Sequence, residues 1–354
     1  MRIAITGATG NVGTALLRSL TARGHEVVGI ARRPPGPAAF PGVEWRTADL
    51  STDVATTLTA AFGGVDAVVH LVWGFQPTHD EAYLERLALG GTRQMLGAAS
   101  AAGVPHVLHM SSLGAYSARQ GTGVAYADES WPTGGIPTSA YSRHKAAAER
   151  IVDGFEAEHP EVTVTRMRPA LIGQRSAASG VLRYTMPSLV PGRAVDLVKV
   201  MPLDRAFTLQ LVHADDVAEA YRLAIEQGAG GAFNLAAEPP LTAADLASGL
   251  GARHVHLPFR ALRTAADLSW RARLQQVDAG WLDMAWQLPL LDAGRAHAEL
   301  GWSPRYDAWQ VLEEVVDGVR HGGYAETPAL RRRSMIEGLT EALRGRSAAR
   351  RHLP

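Results

Sequence analysis

The stretch RIAITGATGNVG, residues 2–13, decides the fold of this chain of 354 residues. Its first five residues are mostly apolar and suit a buried strand, and the glycine-rich run comes directly after them. An apolar helical pattern then begins with Val12, Ala15 and Leu16. A strand, a glycine loop and a helix in that order form the setting in which a glycine motif predicts phosphate binding.

The three glycines of this loop have different expected tasks. Gly7 permits a tight turn, Gly10 lets the backbone approach a pyrophosphate, and Gly13 lets the helix pack close to the strand. The N-terminus of the helix then presents N–H groups and the positive end of its dipole to the phosphate. The alternative is a glycine-rich turn without a ligand, but the flanking strand and helix favour a dinucleotide site.

The composition excludes several classes of protein. Lysine and arginine together number 35, as do aspartate and glutamate, so no net charge draws the chain to nucleic acid. The absence of cysteine excludes disulfides, thiolate metal sites and a cysteine nucleophile. The histidines lack the spacing of a metal site, and no apolar run is long enough to span a bilayer. The first strand begins at residue 2 and leaves no room for a signal peptide, so we expect a cytoplasmic protein with no metal, nucleic-acid or membrane partner.

Strand and helix patterns alternate along the first two thirds of the chain. Further strands are predicted at 26–31, 43–47, 65–71, 104–110, 162–168 and 232–235. Helical patterns cover about 80–102, 140–158 and 217–227, and Asp215 or Asp216 is expected to cap the last of these helices. This alternation is typical of an α/β fold with a doubly wound parallel Rossmann sheet.

The rest of the chain is expected to form a smaller substrate lobe. Residues 1–170 and 210–237 are assigned to the Rossmann core, and residues 171–209, rich in glycine and proline, to irregular loops of the lobe. Residues 238–324 complete the lobe, and its tryptophans at 270, 281 and 286 are expected mostly to pack in its interior, with one a candidate for the pocket wall. Residues 325–354 form a basic tail, interpreted as a solvated or frayed helix.

Tyr141, Lys145 and Ser112 form the candidate catalytic group. Residues four apart on a helix share a face, so the helix over 140–158 directs Tyr141 and Lys145 to one site. A neighbouring ammonium lowers the pKa of a phenol from about 10, which suits the tyrosine to general acid–base work. Ser112 follows the strand over 104–110, at the sheet edge where ligands of such folds bind, and its hydroxyl can hold a carbonyl or alcohol oxygen.

Two arginines stand where the second strand of a dinucleotide fold meets the adenosine ribose. Arg32 and Arg33 follow the strand over 26–31, and a guanidinium suits the 2′-phosphate of NADP, whereas NAD is usually met there by an acidic residue. A solvated basic turn is the alternative interpretation. We therefore expect NADP as the cofactor, with NAD as the second choice.

With these motifs the chain resembles an extended short-chain dehydrogenase/reductase of the NAD-dependent epimerase/dehydratase family. The resemblance covers about residues 1–320 and rests on TGATGNVG (6–13), ADL (48–50), SSLGAY (111–116), YSRHK (141–145), RPALIG (168–173), VHADDVA (212–218), FNLA (233–236) and ELGWSP (299–304). It implies that Asp49 and Leu50 flank the adenine, that Ser112 is the catalytic serine and that Tyr141 donates or accepts the proton. It also implies that Lys145 holds the nicotinamide ribose.

The same resemblance places the stretch at Pro169 against the nicotinamide. The residues predicted to bind the cofactor are therefore Gly7, Thr9, Gly10, Asn11, Val12, Arg32, Arg33, Asp49, Leu50, Leu71, Tyr141, Lys145 and Pro169.

The chain also departs from the family pattern. Ala88 stands where many members have an asparagine that bends a helix or relays a proton, and Trp73 brings an aromatic ring to the loop beside the cofactor. Leu113 and Gly114 replace the acidic pair of sugar-nucleotide dehydratases. Leu209 replaces an arginine frequent in nucleotide-sugar epimerases. These departures disfavour a sugar nucleotide as the substrate.

The sequence favours an NADP-dependent oxidoreductase that transfers hydride between nicotinamide and a small carbonyl compound or secondary alcohol, with Tyr141 as general acid or base. One alternative is an epimerase that reduces and reoxidises its cofactor within each turnover. Another is a dinucleotide-sensing regulator without turnover, which the tyrosine–lysine pair disfavours. The expected ligand besides the cofactor is a small molecule, and a homodimer is also considered.

Overall fold

A computed structural model describes residues 1–36, 38–74, 80–121, 123–185, 192–272 and 277–332. The strands are β1 (Arg2–Thr6), β2 (Glu26–Ala31), β3 (Val43–Thr47), β4 (Ala67–His70), β5 (His106–Met110), β6 (Tyr126–Ala127), β7 (Thr163–Pro169), β8 (Leu171–Gly173), β9 (Val200–Leu203), β10 (Thr208–Leu209), β11 (Leu211–His213), β12 (Gly231–Leu235), β13 (Leu241–Thr242), β14 (Arg253–His256) and β15 (Leu290–Leu291). The helices are α1 (Asn11–Ala22), α2 (Ala55–Phe62), α3 (Glu81–Glu85), α4 (Gly91–Ala101), α5 (Ala140–Glu158), α6 (Ala178–Thr185), α7 (Ala214–Gln227), α8 (Ala243–Gly249), α9 (Phe259–Arg271), α10 (Ala279–Gln287), α11 (Gly294–Leu300) and α12 (Ala308–His321).

A seven-stranded sheet in the order β12-β7-β5-β4-β1-β2-β3 forms the centre of the molecule. Every neighbouring pair in this sheet is parallel, so the carboxyl ends of all seven strands lie along one edge. The strand order reverses beside β1, between β4 and β2, which is where ligands of such folds bind. The predicted doubly wound Rossmann sheet is confirmed.

Helices cover both faces of the sheet. Ile3 and Ile5 of β1 belong to a core that includes α1 and α7, whereas Ala4 belongs to a second core that includes α2, α4 and α5. Alternate side chains of one strand are therefore buried on opposite faces. This burial on both sides explains why the central strands read as nearly continuous apolar runs.

The helix predicted over about 80–102 is interrupted in the structure. It consists of α3, a π-helical turn at Arg86–Gly90 and α4. The hydroxyl of Thr92 donates a hydrogen bond of 2.6 Å to the carbonyl oxygen of Ala88 at this turn. The π turn therefore forms with alanine at the position where the resemblance leads one to expect a helix-bending asparagine.

The expected cap of α7 is wrong. Neither Asp215 nor Asp216 caps the helix, because His213 holds that position and its Nδ1 accepts a hydrogen bond of 3.1 Å from the N–H of Asp215. Asp216 points inward and accepts hydrogen bonds from the N–H groups of Arg305 and Tyr306. The carboxylate of Asp216 thus fixes the segment before α12 and does not cap its own helix.

Residues 171–209 are more regular than expected, since they include β8, α6, β9 and β10. β8 pairs with β11 and β9 pairs with β14, and each pair forms a sheet of its own. Strands of two to four residues carry too little pattern to be recognised without their partners, which lie far along the sequence. Of the basic tail, residues from 333 onward lie outside the described residues.

Gly13 allows the close contact between α1 and the loop before it. A Cβ atom at Gly13 would overlap the carbonyl oxygen of Gly7 and lie 2.7 Å from the carbonyl carbon of Ala8. Both neighbours are backbone atoms, which cannot move aside without displacing the loop.

We predict that Gly13→Ala lowers the free energy of unfolding by about 1–3 kcal/mol, the usual effect of overpacking. Gly97→Ala is the matched control, because Gly97 lies in the interior of α4 with open space around its Cα. That change is expected to raise the free energy of unfolding by about 0.5–1 kcal/mol. Urea unfolding of both variants measures the difference, and equal stability of the two would contradict the close packing at Gly13.

Candidate active site

The glycine loop presents backbone donors at the carboxyl edge of the sheet. Gly7 has a φ of 75° and its N–H donates to the carbonyl oxygen of Ile30 at 2.9 Å, which fixes the turn after β1. Gly10 precedes α1 with extended backbone, and no side chain caps the helix. The N–H groups of the first turn, at Asn11 and Val12, are therefore suited to bind an anionic ligand.

Two of the predicted cofactor residues also fasten this loop to the rest of the chain. The side chain of Asn11 donates to the carbonyl oxygen of Ile172 at 3.3 Å and accepts from Nε2 of Gln174 at 2.5 Å. The carbonyl oxygen of Thr9 accepts a hydrogen bond of 2.9 Å from the hydroxyl of Thr327. Nothing in the spacing of the sequence pointed to Gln174 or Thr327.

The arginines predicted to meet the ribose lie at the end of β2. Nη1 of Arg32 is 4.0 Å from a carboxylate oxygen of Asp49, and Leu50 beside it is buried. Burial and then the charges of Arg32 and Arg331 lower the pKa of the exposed Arg33. Arg331, which sequence analysis placed in a solvated tail, therefore adds positive charge beside Arg33.

The structure brings Ser112, Tyr141 and Lys145 together. Ser112 follows β5, and its hydroxyl is hydrogen-bonded to the phenol of Tyr141 and accepts from the N–H of Gly114 at 3.0 Å. Tyr141 and Lys145 share one face of α5, with Nζ of Lys145 at 5.9 Å from the centroid of the tyrosine ring. Leu71 directly follows β4 and Pro169 ends β7, so both lie at the same sheet edge.

The ammonium of Lys145 is buried between a carbonyl group and an indole. Its Nζ donates to the carbonyl oxygen of Met110 at 2.7 Å and lies 3.5 Å from the centroid of the Trp73 ring. Burial lowers the pKa of Lys145 well below its ordinary value, although the charge of Glu149 acts in the opposite direction. The Trp73 ring thus covers one side of the amine that the resemblance assigns to the ribose.

The pKa of Tyr141 differs from the expectation. Burial raises it to about 12, although the hydrogen bond to Ser112 acts to lower it. We expected the nearby lysine to bring this pKa down, but the removal of the phenolate from water dominates and the net shift is upward. Tyr141 is therefore a protonated phenol at neutral pH, which suits it to donate a proton.

Glu149 anchors the helix that carries Tyr141 and Lys145. Its carboxylate accepts from Nε and Nη2 of Arg168 at 2.8 and 2.9 Å and from the hydroxyl of Ser111. Glu149 and Arg168 are both buried, at 1% and 6% exposed. Ser111 precedes Ser112, and Arg168 precedes Pro169, so this pair ties α5 to two strand ends that carry site residues.

The same arginine continues into a buried network. Nη1 of Arg168 donates to the hydroxyl of Tyr116 at 3.1 Å, and that hydroxyl donates to Oδ1 of Asn234 at 2.7 Å. The amide of Asn234 donates in turn to the carbonyl oxygens of Ala127 and Asp292. The network therefore joins α5 to β12 and to the region where β6 pairs with β15.

Sequence reasoning missed Glu149, although a signal for it exists. Tyr141, Lys145 and Glu149 are spaced by four residues, which continues one helix face. An acidic residue at the third position of that series, facing a buried arginine one residue before the end of its strand, indicates an anchor for the helix.

A second series of buried, hydrogen-bonded polar side chains lies near the carboxyl edge of the central sheet. Nδ1 of His70 is 2.7 Å from the hydroxyl of Thr6, and Nε2 is 3.4 Å from the hydroxyl of Thr92. Burial, and to a lesser degree the charge of Lys145, lowers the pKa of His70 to about 3. His109 stacks on His70 with ring centroids 5.7 Å apart, and burial lowers its pKa as well. Both imidazoles are therefore neutral at physiological pH.

The described residues lack two kinds of feature, a metal site and a membrane-spanning helix. Among them, no group of three or more histidine, aspartate or glutamate side chains is arranged to hold a metal ion. Within the same residues, every helix is too short or too polar to cross a bilayer.

The comparisons with known proteins agree with the fold. Residues 3–236 match the NAD dependent epimerase/dehydratase family. A 4-hydroxy-2-methyl-3-oxo-4-farnesyl-3,4-dihydroquinoline-1-oxide ketoreductase of Stigmatella aurantiaca is 28% identical over 94% of this chain and 100% of that protein. A 3 beta-hydroxysteroid dehydrogenase/Delta 5-->4-isomerase of Mycobacterium tuberculosis is 26% identical over 89% of each chain. The crystal structure of gox2253 superimposes with a TM-score of 0.71 at 26% identity, over 91% of this chain and 98% of the other.

The buried pair of Glu149 and Arg168 generates a prediction about stability. Glu149→Gln leaves Arg168 buried without its counter-charge, and we expect a loss of about 3–5 kcal/mol in the free energy of unfolding at neutral pH. Glu158→Gln at the exposed end of α5 is the control and should change it by less than about 0.5 kcal/mol.

The pH dependence of the free energy of unfolding of the same variants tests whether the charge of Glu149 is the cause of this loss. Burial raises the pKa of Glu149, but the hydrogen bonds and charge of Arg168, the hydroxyl of Ser111 and the charge of Arg166 together lower it more, so the net shift is downward. The stabilisation is therefore fully present above the ordinary pKa of a glutamate and is lost as the pH falls through the lower, folded value. Urea unfolding from neutral to acidic pH should show the two variants converging, and a constant difference would contradict this assignment.

Proposed function

Because the chain belongs to the NAD-dependent epimerase/dehydratase family and is an enzyme of that family, we propose that it is an NADP-dependent reductase or dehydrogenase of a small carbonyl compound or secondary alcohol. The observation that carries the proposal is the convergence of Ser112, Tyr141 and Lys145 at the carboxyl edge of the sheet. Such a group can hold one oxygen atom and give it a proton.

The residues of the site suit the reduction of a carbonyl group. Ser112 and Tyr141 are hydrogen-bonded to each other. A substrate oxygen that takes the place of this hydrogen bond therefore meets two hydroxyl donors. A phenol with a pKa of about 12 holds its proton until the oxygen becomes basic. When bound, the reduced nicotinamide supplies the hydride to the carbonyl carbon, and the oxygen takes the proton of Tyr141.

The glycine loop and its surroundings fit a dinucleotide. The uncapped first turn of α1 offers backbone N–H groups for a pyrophosphate, and Arg32 and Arg33 offer guanidinium groups for a 2′-phosphate. Asp49, Leu50, Leu71 and Pro169 complete the proposed cofactor site. Lys145 is proposed to hold the ribose hydroxyls.

The relatives favour this reaction over the alternatives. The similar protein of Stigmatella aurantiaca is named as a ketoreductase and that of Mycobacterium tuberculosis as a hydroxysteroid dehydrogenase. An epimerase remains the second candidate because the family includes epimerases, and net consumption of cofactor separates the two. A regulator without turnover is disfavoured by the presence of both Tyr141 and Lys145.

The assignment of Tyr141 is tested by Tyr141→Phe. The change removes the phenolic proton and leaves Lys145 in place, so we expect turnover to fall by about 10²–10⁴-fold while cofactor affinity stays nearly intact. NADPH oxidation with a panel of ketones measures the rate, and calorimetric titration measures the affinity. Near-normal turnover would remove Tyr141 from the chemistry.

The choice of cofactor is tested at the end of β2. Charge-assisted hydrogen bonds to a 2′-phosphate contribute roughly 1.5–3 kcal/mol each, so NADP should bind at least about tenfold more tightly than NAD. Because Arg33 is exposed, salt should weaken this preference. Changing Arg32 and Arg33 together to serine should abolish it and spare NAD binding.

Arg93→Ser, at an exposed position of α4, is the control and should leave the preference unchanged. Calorimetric titration with NADP and with NAD measures the two affinities. Equal or tighter binding of NAD to the unaltered chain would show that the two arginines are a solvated turn.

A further inference from the structure

The phenol of Tyr141 lies between two indole rings. The Trp281 ring is tilted by 33° against the tyrosine ring with centroids 5.1 Å apart, and the Trp73 ring meets it edge-on at 78° and 6.2 Å. Trp73 also covers the ammonium of Lys145, whereas Trp281 comes from α10 in the lobe. The group that is proposed to protonate the substrate is thus flanked by flat aromatic surfaces.

Gly114 adds a close backbone neighbour to the Tyr141 ring. A Cβ atom added at Gly114 would lie 2.8 Å from Cε1 of Tyr141 and 3.4 Å from Sδ of Met284. Gly114 is therefore packed against both the tyrosine ring and the thioether of Met284.

The position of Trp281 is built into the fold. Gly280 lies so close to the segment before α5 that a Cβ atom there would overlap the carbonyl oxygen of Thr138. Asp278 caps α10 by accepting from the N–H of Gly280 at 2.6 Å. The first turn of α10 is thereby held against the start of α5, which sets the distance between Trp281 and Tyr141.

We propose that the substrate is a planar aromatic or conjugated ring ketone, or the matching secondary alcohol, whose ring lies against Trp281 while its oxygen meets Ser112 and Tyr141. This inference rests on the proposed carbonyl chemistry. One C=O becomes one secondary alcohol, with the hydride from the reduced nicotinamide on carbon and the proton of Tyr141 on oxygen, and the tyrosine regains its proton from water.

Aromatic recognition distinguishes this class from saturated ketones of equal size. An indole attracts the edge or the offset face of another π-system, and this attraction adds to the burial of apolar area. A saturated ring of the same skeleton buries similar area without the π contact. Two ketones with one skeleton therefore separate the contribution of stacking from that of size.

The experiment compares 1-tetralone with 1-decalone, which share a bicyclic ten-carbon skeleton. Each is titrated calorimetrically into the full chain saturated with NADP⁺, a state in which no reduction takes place. We expect 1-tetralone to bind about two- to tenfold more tightly than 1-decalone, the range typical of one aromatic contact. Equal affinities, tighter binding of 1-decalone, or binding of neither ketone would overturn the proposal.

Variants of α10 test whether Trp281 is responsible for the preference for 1-tetralone over 1-decalone. Trp281→Leu should abolish the difference between the two ketones, and Trp281→Phe should retain most of it. Trp286→Leu is the matched control, because Trp286 lies on the same helix but stacks on Phe259, with centroids 4.6 Å apart. A preference that survives in Trp281→Leu assigns recognition elsewhere and contradicts the proposal. The NADP⁺ affinity of each variant shows that it is folded.

These titrations also separate this inference from the proposed function. If 1-tetralone binds selectively but NADPH does not reduce it, the carbonyl chemistry fails and the aromatic ligand class stands. If NADPH reduces both ketones with equal kcat/KM and both bind equally, the chemistry stands and the aromatic class fails.

Discussion

The buried ion pair between Glu149 and Arg168 is the interaction on which the geometry of the site depends. Isolated charges are very costly inside a protein, and here each is compensated by the other through two parallel hydrogen bonds. The pair fixes α5 in one position along its axis and one rotation about it. Arg166 adds ion pairs to Glu149, Asp153 and Glu156 of the same helix, so the helix that carries Tyr141 and Lys145 is held by a group of buried and exposed charges.

Removal from water governs the chemistry of the side chains around this pair. Burial raises the pKa of Tyr141 and lowers the pKa values of Lys145 and His70. All three shifts favour the neutral form of the group, so the catalytic edge carries less charge than its residue types suggest. Charge that arrives with a cofactor or forms on a substrate oxygen would meet oriented dipoles in a site removed from water, where electrostatic stabilisation is strongest.

The sequence predicts those features that depend on local spacing. The glycine loop, the alternation of strands and helices, and the shared face of Tyr141 and Lys145 all follow from residue patterns within short stretches of the chain. Trp281 was one of three tryptophans that could not be told apart, because its contact with Tyr141 depends on how α10 packs against α5. The π turn depends on the register between a helix and its neighbours, and no pattern within Arg86–Gly90 marks it. The hydrogen bond that ties Gln174 to the glycine loop likewise arises only from the way the lobe folds back on the core.

The hydrogen bond from Thr327 to Thr9 has a consequence for biosynthesis. The last strand of the central sheet ends at Leu235, so the whole sheet can be translated and folded well before Thr327 leaves the ribosome. During that interval the nascent chain carries its glycine loop without the hydroxyl that later fastens it. A chain stopped after the sheet would keep every strand of the Rossmann core and still lack this fastening.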